Sequence, residues 1–190
     1  HQVSFNKAMI SFLNSIETSG VKDEQIYIIK IKLIKFIRYC NSHKINKIKD
    51  VDVQLAKDWI TYRSNLRVKN KYQSHYDNYY PKVSLRTINR DVQFLKRFFN
   101  HCIDLEWLDR NPFRAIKYFK LGKQIQRYYF TKSDIKMILN NSKEFNDFYA
   151  FLLYTGLRPT DAYKLQKKHI NGPNLALRMN KTSDYLNIPL

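Results

Sequence analysis

Cysteine is scarce. Cys40 and Cys102 stand 62 positions apart, with no second thiol near either to complete a metal-ligand spacing. They read as buried thiols, or chance surface residues, of a reducing compartment rather than as a disulfide framework. The five histidines form no metal-binding pattern. No metal and no cofactor is therefore expected. No segment approaches the run of about 20 apolar residues that spans a bilayer. The sequence shows no secretory leader, no repeat and no low-complexity tract. Acidic side chains are the other shortage. Sixteen Asp and Glu stand against 34 Lys and Arg, a formal net charge of +18 on 190 residues.

The excess is distributed: 23 basic against 11 acidic residues up to Lys120, and 11 against 5 after it. Such a spread suits a protein that grips a polyanion along its length, and double-stranded DNA is the expected partner. A merely solubilising surface is the plain alternative. An anionic membrane surface fits less well, because the basic helices carry enough apolar residues to need a protein core. With hydrophobic content at 44%, 190 residues suffice for one domain or two small ones. The chain opens on His1 rather than Met and closes on the strand-like Asn187-Ile-Pro-Leu190. Both ends read as those of a fragment.

Four helical patterns fill the first part. From Phe5 to about Ile16, Phe5, Met9, Phe12, Leu13 and Ile16 share a face. Asp23 is expected to cap a second helix reaching about Tyr39, with Ile26, Ile29, Leu33, Ile37 and Cys40 inward and Lys30, Lys32, Lys35 and Arg38 among its other residues. Asp52 is expected to cap a third, with Leu55, Ala56, Trp59, Ile60 and Leu66 apolar. Arg67 to Pro81 is polar and rich in tyrosine and reads as a loop, with Tyr72, Tyr76, Tyr79 and Tyr80 free to pack on the helices or on a partner.

The fourth helix is the clearest. Ser84 caps it, and Leu85, Ile88, Val92, Leu95, Phe99 and Cys102 recur at steps of three and four, which defines a core face. Arg86, Arg90, Gln93 and Arg97 form a second stripe, bordered by Asn89 and Lys96. Long donors on one face of a rigid helix meet phosphates or base edges in a major groove. The plain reading is a solvated face; three arginines and a glutamine with only Asp91 nearby favour DNA contact. Asn111-Pro112 breaks the pattern. These observations give an all-α domain over 1–118 and an extended basic linker over 119–129, where Lys123 and Arg127 are further candidate DNA contacts. A second domain starts at 130, at a helix begun by Thr131 or Ser133. Such a linker would let two basic domains clamp a duplex.

In the second domain the apolar run Phe148 to Tyr154 leads through Thr155-Gly156-Leu157 to Arg158, which opens a short amphipathic pattern including Ala162, Leu165 and Ile170. An arginine on a rigid turn beside a helix N-terminus suits a phosphate, because guanidinium and backbone N–H donors converge. Asn171-Gly172-Pro173 signals a turn. Leu175, Leu177 and Met179 then alternate as in a strand, Asn180 to Asp184 is a polar turn, and Tyr185 to Leu190 is the return strand. Lys181 falls at or near the hairpin tip, where an ammonium is able to donate a proton or stabilise negative charge. Alone, it would be an ordinary turn lysine.

Taken in order, these pieces resemble the tyrosine recombinase, or phage integrase, family, and particularly the mobile-element integrases of the Bacteroides group. The matching pieces are the four-helix basic region, Asn111-Pro112, Phe130-Thr-Lys-Ser-Asp134-Ile, Tyr154-Thr-Gly-Leu-Arg158-Pro-Thr-Asp161, and the hairpin from Lys181-Thr-Ser to Ile188-Pro-Leu190. The resemblance implies a mainly α chain: an all-α, SAM-like core-binding domain followed by the N-terminal part of an α+β catalytic domain. It implies that Arg158 binds the scissile phosphate, that Lys181 is general acid toward the leaving 5′ oxygen, and that Asp161 supports the site, where many members carry Glu. It also implies strand cleavage through a 3′-phosphotyrosyl intermediate without a high-energy cofactor, self-association into a tetramer on DNA, and a cytoplasmic, nucleoid-associated location. The family's His-x-x-Arg motif and nucleophilic tyrosine follow the lysine hairpin and are not found in these 190 residues. Arg158 and Lys181 would stabilise charge and assist the leaving group but supply no attack, so this piece alone is expected to be inactive. A non-enzymatic DNA-binding accessory or regulatory protein of a mobile element is the competing reading. It would have no use for Arg158 paired with Lys181.

Overall fold

The computed structural model describes residues 3–68, 81–122, 128–179, 182 and 184–189. Two compact units divide between residues 123 and 124. The first is all helical: α1 Phe5–Thr18, α2 Asp23–Ser42, α3 Val53–Asn65 and α4 Leu85–Asp104. The second holds α5 Lys132–Asn141, α6 Asn146–Thr155 and α7 Pro159–Tyr163, then a three-stranded antiparallel sheet in sequence order, β1 Ile170–Asn171, β2 Asn174–Arg178 and β3 Tyr185–Pro189. The architecture is thus an all-α domain followed by the start of an α+β one.

Capping explains most of the helix starts. Side chains of Ser4, Asp52 and Ser84 accept from backbone N–H groups three residues on, at 3.3, 2.7 and 3.2 Å. Thr131 and Asp134 form a reciprocal capping box at α5. At α2 the cap position belongs to Lys22, whose side chain makes no capping bond; Asp23 lies in the first turn, where its charge still favours the positive helix end.

The core of the first unit is aromatic. Phe36 and Phe99 are fully buried, Trp59 nearly so, and Phe36 meets Trp59, Phe99 and Phe113 edge to face at 5.5, 5.9 and 5.4 Å. On α4 the buried set is Ile88, Asp91, Val92, Leu95, Phe98, Phe99 and Cys102. Leu85, expected inward, is 42% exposed at the first position of the helix, and the buried face begins at Ile88. Phe98 and Asp91 are buried in addition to the expected residues. Burial pushes both thiols, Cys40 and Cys102, up to about 12, so they stay protonated and inert at neutral pH.

Asp91 is 4% exposed yet charged, and its carboxylate meets two cations. Oδ2 accepts from Arg63 Nε at 3.0 Å and Nη2 at 2.7 Å, and Oδ1 accepts from Lys32 Nζ. One side chain of α4 therefore ties α3 and α2 together. Arg63 also lies 5.6 Å from the Trp59 ring centroid, which spreads its charge over the aromatic core.

After α4 the chain returns along the helix. The buried Asn111 amide donates to the Lys96 carbonyl (2.9 Å) and to Asn100 Oδ1 (2.6 Å), and its oxygen accepts from Phe113 N–H (2.8 Å). That explains why an asparagine precedes Pro112: its side chain supplies both donor and acceptor where a helix cannot continue. Among the described residues, no helix is long and apolar enough to cross a membrane.

Removing the Asp91 carboxylate leaves two cations facing a low-dielectric core without their shared partner. Asp91→Ala is expected to destabilise the first unit by about 3–5 kcal/mol, read by urea unfolding. A loss of less than about 1 kcal/mol, the value of an exposed pair, would show that the triad is not needed.

Candidate nucleic-acid interface and phosphate site

Within the first unit, Arg86, Arg90, Gln93 and Arg97 are all exposed on the side of α4 away from the core. None of the three arginines forms an ion pair among the described residues. Asp91, the acid in their midst, faces inward and is consumed by Arg63 and Lys32. The stretch of the outer face from Arg86 to Arg97 is therefore left with positive charge only, and the exposed Asp104 follows two turns later at the end of the helix.

Asn89 and Lys96, expected to border that stripe, are occupied within the protein. The Asn89 amide donates to the Phe119 carbonyl at 2.9 Å, and its oxygen accepts from Phe119 N–H at 2.8 Å. Lys96 Nζ donates to the Ile116 carbonyl at 2.7 Å and lies over the Tyr118 ring at 4.8 Å. Both side chains bind the returning backbone, which carries peptide groups with no helix or strand partner of their own. They are positioning residues for residues 116–119.

A second basic row was not assigned from sequence. The helices α2 and α4 run antiparallel. Gln25 and Ile28 share a groove with Gln93 and Phe94, Lys32 pairs with Asp91, and Lys35 and Arg38 share a cleft with Ser84 and Thr87. Exposed Lys35 and Arg38 and half-buried Lys32 thus lie across the α2–α4 seam from Arg90 and Arg86. The basic residues of α2 are visible in the sequence, but their register against α4 is a tertiary fact.

In the second unit the turn after α6 sets Arg158. Gly156 takes φ +64°, the left-handed conformation that glycine adopts without a Cβ penalty, and its N–H donates to the Leu152 carbonyl at 2.9 Å. Leu157 then inserts into a small core with Ala162, Leu175 and Leu177. Arg158 follows as the cap residue of α7, with its carbonyl accepting from Asp161 and Ala162 N–H at 2.9 and 3.0 Å.

The Asp161 side chain, 1% exposed, lies beneath the guanidinium, with Oδ2 3.7 Å from Nη1, while the Arg158 side chain is 42% exposed. The two atoms are buried and make no hydrogen bond to each other, so the carboxylate holds that edge of the arginine by charge alone, while the side chain as a whole stays partly exposed. The expected convergence with a helix N-terminus is weaker than the sequence implied. The helix has five residues, Pro159 at its first position has no N–H, and two further N–H groups close on Arg158 itself. The guanidinium is the principal donor. The expected helix to Ile170 also ends early: Ile170 is 55% exposed and begins β1.

In the sheet, Leu175 and Leu177 are buried, while Ala176 and Arg178 point outward. Met179 N–H donates to the Asp184 carbonyl at 2.9 Å, closing the strand ends. Lys181, Lys123 and Arg127 lie outside the described residues, as do Tyr72, Tyr76, Tyr79 and Tyr80. No group of three or more His, Cys, Asp or Glu able to hold a metal occurs among the described residues.

No protein-family profile matches the sequence, and no curated protein does. Solved structures do. A lambda integrase dimer bound to a COC' core site superposes with a TM-score of 0.77 at 14% identity, over 100% of this chain and 49% of that one. A lambda integrase tetramer bound to a Holliday junction gives 0.76 at 15% identity, over 98% of this chain and 51% of that one. The chain has the lambda integrase fold. It spans about half the length of those integrase chains. At such identity the likeness is one of fold, and the integrase-like scaffold carries its charged side chains on its own terms: a basic α2–α4 seam in one unit and an Asp161-anchored arginine in the other.

Proposed function

We propose that this chain is the DNA-binding portion, with part of the phosphate site, of a site-specific recombinase of the tyrosine recombinase type. The observation that carries the reading is the one-sided charge of α4. Its arginines are exposed, and Asp91, the aspartate among them, is folded inward onto Arg63 and Lys32. A face that presents Arg86, Arg90, Gln93 and Arg97 opposite Lys35 and Arg38 offers long donors suited to phosphates and base edges of a duplex. The fold supports it too, since the integrases that share it were solved as a dimer on a core site and a tetramer on a Holliday junction. Double-stranded DNA is the proposed partner, and self-association on DNA accompanies it. The narrower placement among Bacteroides-type mobile-element integrases rests on the motif order from Asn111-Pro112 to Ile188-Pro-Leu190, and the nucleoid location follows from the partner.

In this reading Arg158 holds the scissile phosphate. Its exposed donors are free for the nonbridging oxygens, and Asp161 keeps the planar fork from swinging away. Lys181, by its place between β2 and β3 in the sequence, is assigned the leaving 5′ oxygen, which takes the ammonium proton as the P–O bond breaks. The attacking hydroxyl comes from a tyrosine of the parent protein beyond these residues. Lys123 and Arg127, from their place in the basic linker of the sequence, are proposed as further contacts to the DNA backbone.

Duplex affinity of the 190-residue chain is expected to fall steeply with salt, as counterions are released. Replacing Arg86, Arg90 and Arg97 together with alanine is expected to make the slope of log K against log salt shallower by about 2.7, with the melting temperature unchanged because all three are exposed. An unchanged slope and affinity in the folded triple variant would remove α4 from the interface. In a protein carrying the nucleophile, Arg158→Ala is expected to cut covalent complex formation on a suicide substrate by about a hundredfold or more while most duplex binding survives. Cleavage at the unaltered rate would remove Arg158 from the site.

A further inference from the structure

The C-terminal half of α2, α3 and the start of α4 enclose a cleft of about 600 Å³ whose aromatic wall the duplex reading leaves unused. Three cations stand around it: Lys35, Arg38 and Lys82, all exposed. One wall is Tyr62, 45% exposed and backed by Tyr39 and Trp59 at ring distances of 5.1 and 5.6 Å. Trp59 lines the cleft as well, although the residue as a whole is only 1% exposed. Its indole Nε1–H is buried and meets no acceptor among the described residues.

The Trp59 indole N–H is closed off from solvent and so out of an occupant's reach, which leaves the cations and the Tyr62 ring to set the terms. Three cations around one opening call for an anion. A half-exposed tyrosine ring supported from behind offers a flat stacking face. Inorganic phosphate satisfies the cations but offers nothing to the ring. A base within a duplex is stacked on both sides and has no free face for Tyr62. An unpaired nucleotide meets both demands, with its phosphate at the cations and its base on Tyr62.

We propose that this cleft binds an unpaired deoxynucleotide of the DNA substrate, stacked on Tyr62 with its phosphate held by the surrounding cations. The proposal deepens the DNA-binding reading and rests on it. Lys35 and Arg38 border both the cleft and the α2–α4 seam, so a strand that leaves a duplex on the seam has a continuous cationic path into the cleft.

The test uses the 190-residue chain and a fluorescently labelled oligothymidylate of four nucleotides, read by anisotropy. The oligomer is expected to bind saturably. An abasic oligomer of the same length, with the same phosphates, is expected to bind at least about tenfold more weakly, and Tyr62→Ala is expected to weaken the thymidylate by about tenfold or more, since base–aromatic stacking is lost. Duplex affinity of Tyr62→Ala is expected to stay within about twofold of the unaltered chain. A Trp107→Phe background leaves Trp59 as the sole tryptophan, and its fluorescence is expected to change with the thymidylate but not with inorganic phosphate. Equal binding of abasic and base-bearing oligomers would overturn the proposal, as would an unaffected Tyr62→Ala variant. Both results are independent of duplex binding by the unaltered chain, whose absence would instead defeat the broader DNA-binding reading.

Discussion

The Asp91 carboxylate, nearly out of water, holds three helices at one point. Arg63 of α3 grips one oxygen with two donors, and Lys32 of α2 takes the other. Truncating Asp91 leaves two cations without their shared partner beside the aromatic core, so the three helices are locked in register by electrostatics as well as by packing. The same contact shapes the surface. By turning inward, Asp91 removes the one negative charge that would have neutralised the arginines around it. Lys32 is drawn to the seam, where it aligns α2 with α4. The basic face follows from a buried acid.

The second unit depends on a smaller device. Leu157 is held in a core of few residues, and the left-handed Gly156 before it lets α6 stop in one step. Arg158 comes directly after, so its backbone is fixed by the leucine and its side chain by Asp161. Large side chains of α6 stay on the surface: Tyr149 is 43% exposed, Leu153 46% and Tyr154 82%. Phe151 and Leu152 are the α6 side chains that pack against the Leu157 core, so the arginine is supported by the helix before it as well as by the sheet residues Leu175 and Leu177. That suits a group meant to act on charge developing in a transition state, where a preset donor costs no reorganisation.

Much of this was legible in the sequence where a local rule governs. Ser84 and Asp52 cap because a short oxygen-bearing side chain before an apolar period has one favourable use. Gly172 turns because it takes φ +58° between two strands. The alternation of Leu175 and Leu177 marks a sheet face. What escaped depends on distant partners. Asp91 looked like a surface acid until Lys32 and Arg63, 59 and 28 residues away, were placed beside it. Asn89 and Lys96 have the side chains of DNA readers, yet the peptide groups of Ile116 and Phe119 claim them. Arg158 was placed in the right turn, but the helix after it was expected to be longer than its five residues, because Leu165 and Ile170 extend the apolar period while belonging to a turn and a strand.

The central claim is that the outer face of α4, with the adjoining row of α2, is where this chain meets a duplex. Backbone amide spectra of the isotopically labelled chain, titrated with a short DNA duplex at low salt, test it residue by residue. The account predicts shifts concentrated at Arg86, Arg90, Gln93, Arg97, Lys35 and Arg38, with little change at exposed positions of α1 such as Lys7, Asn14 and Glu17. Shifts centred on α1, with the α4 arginines undisturbed, would contradict it.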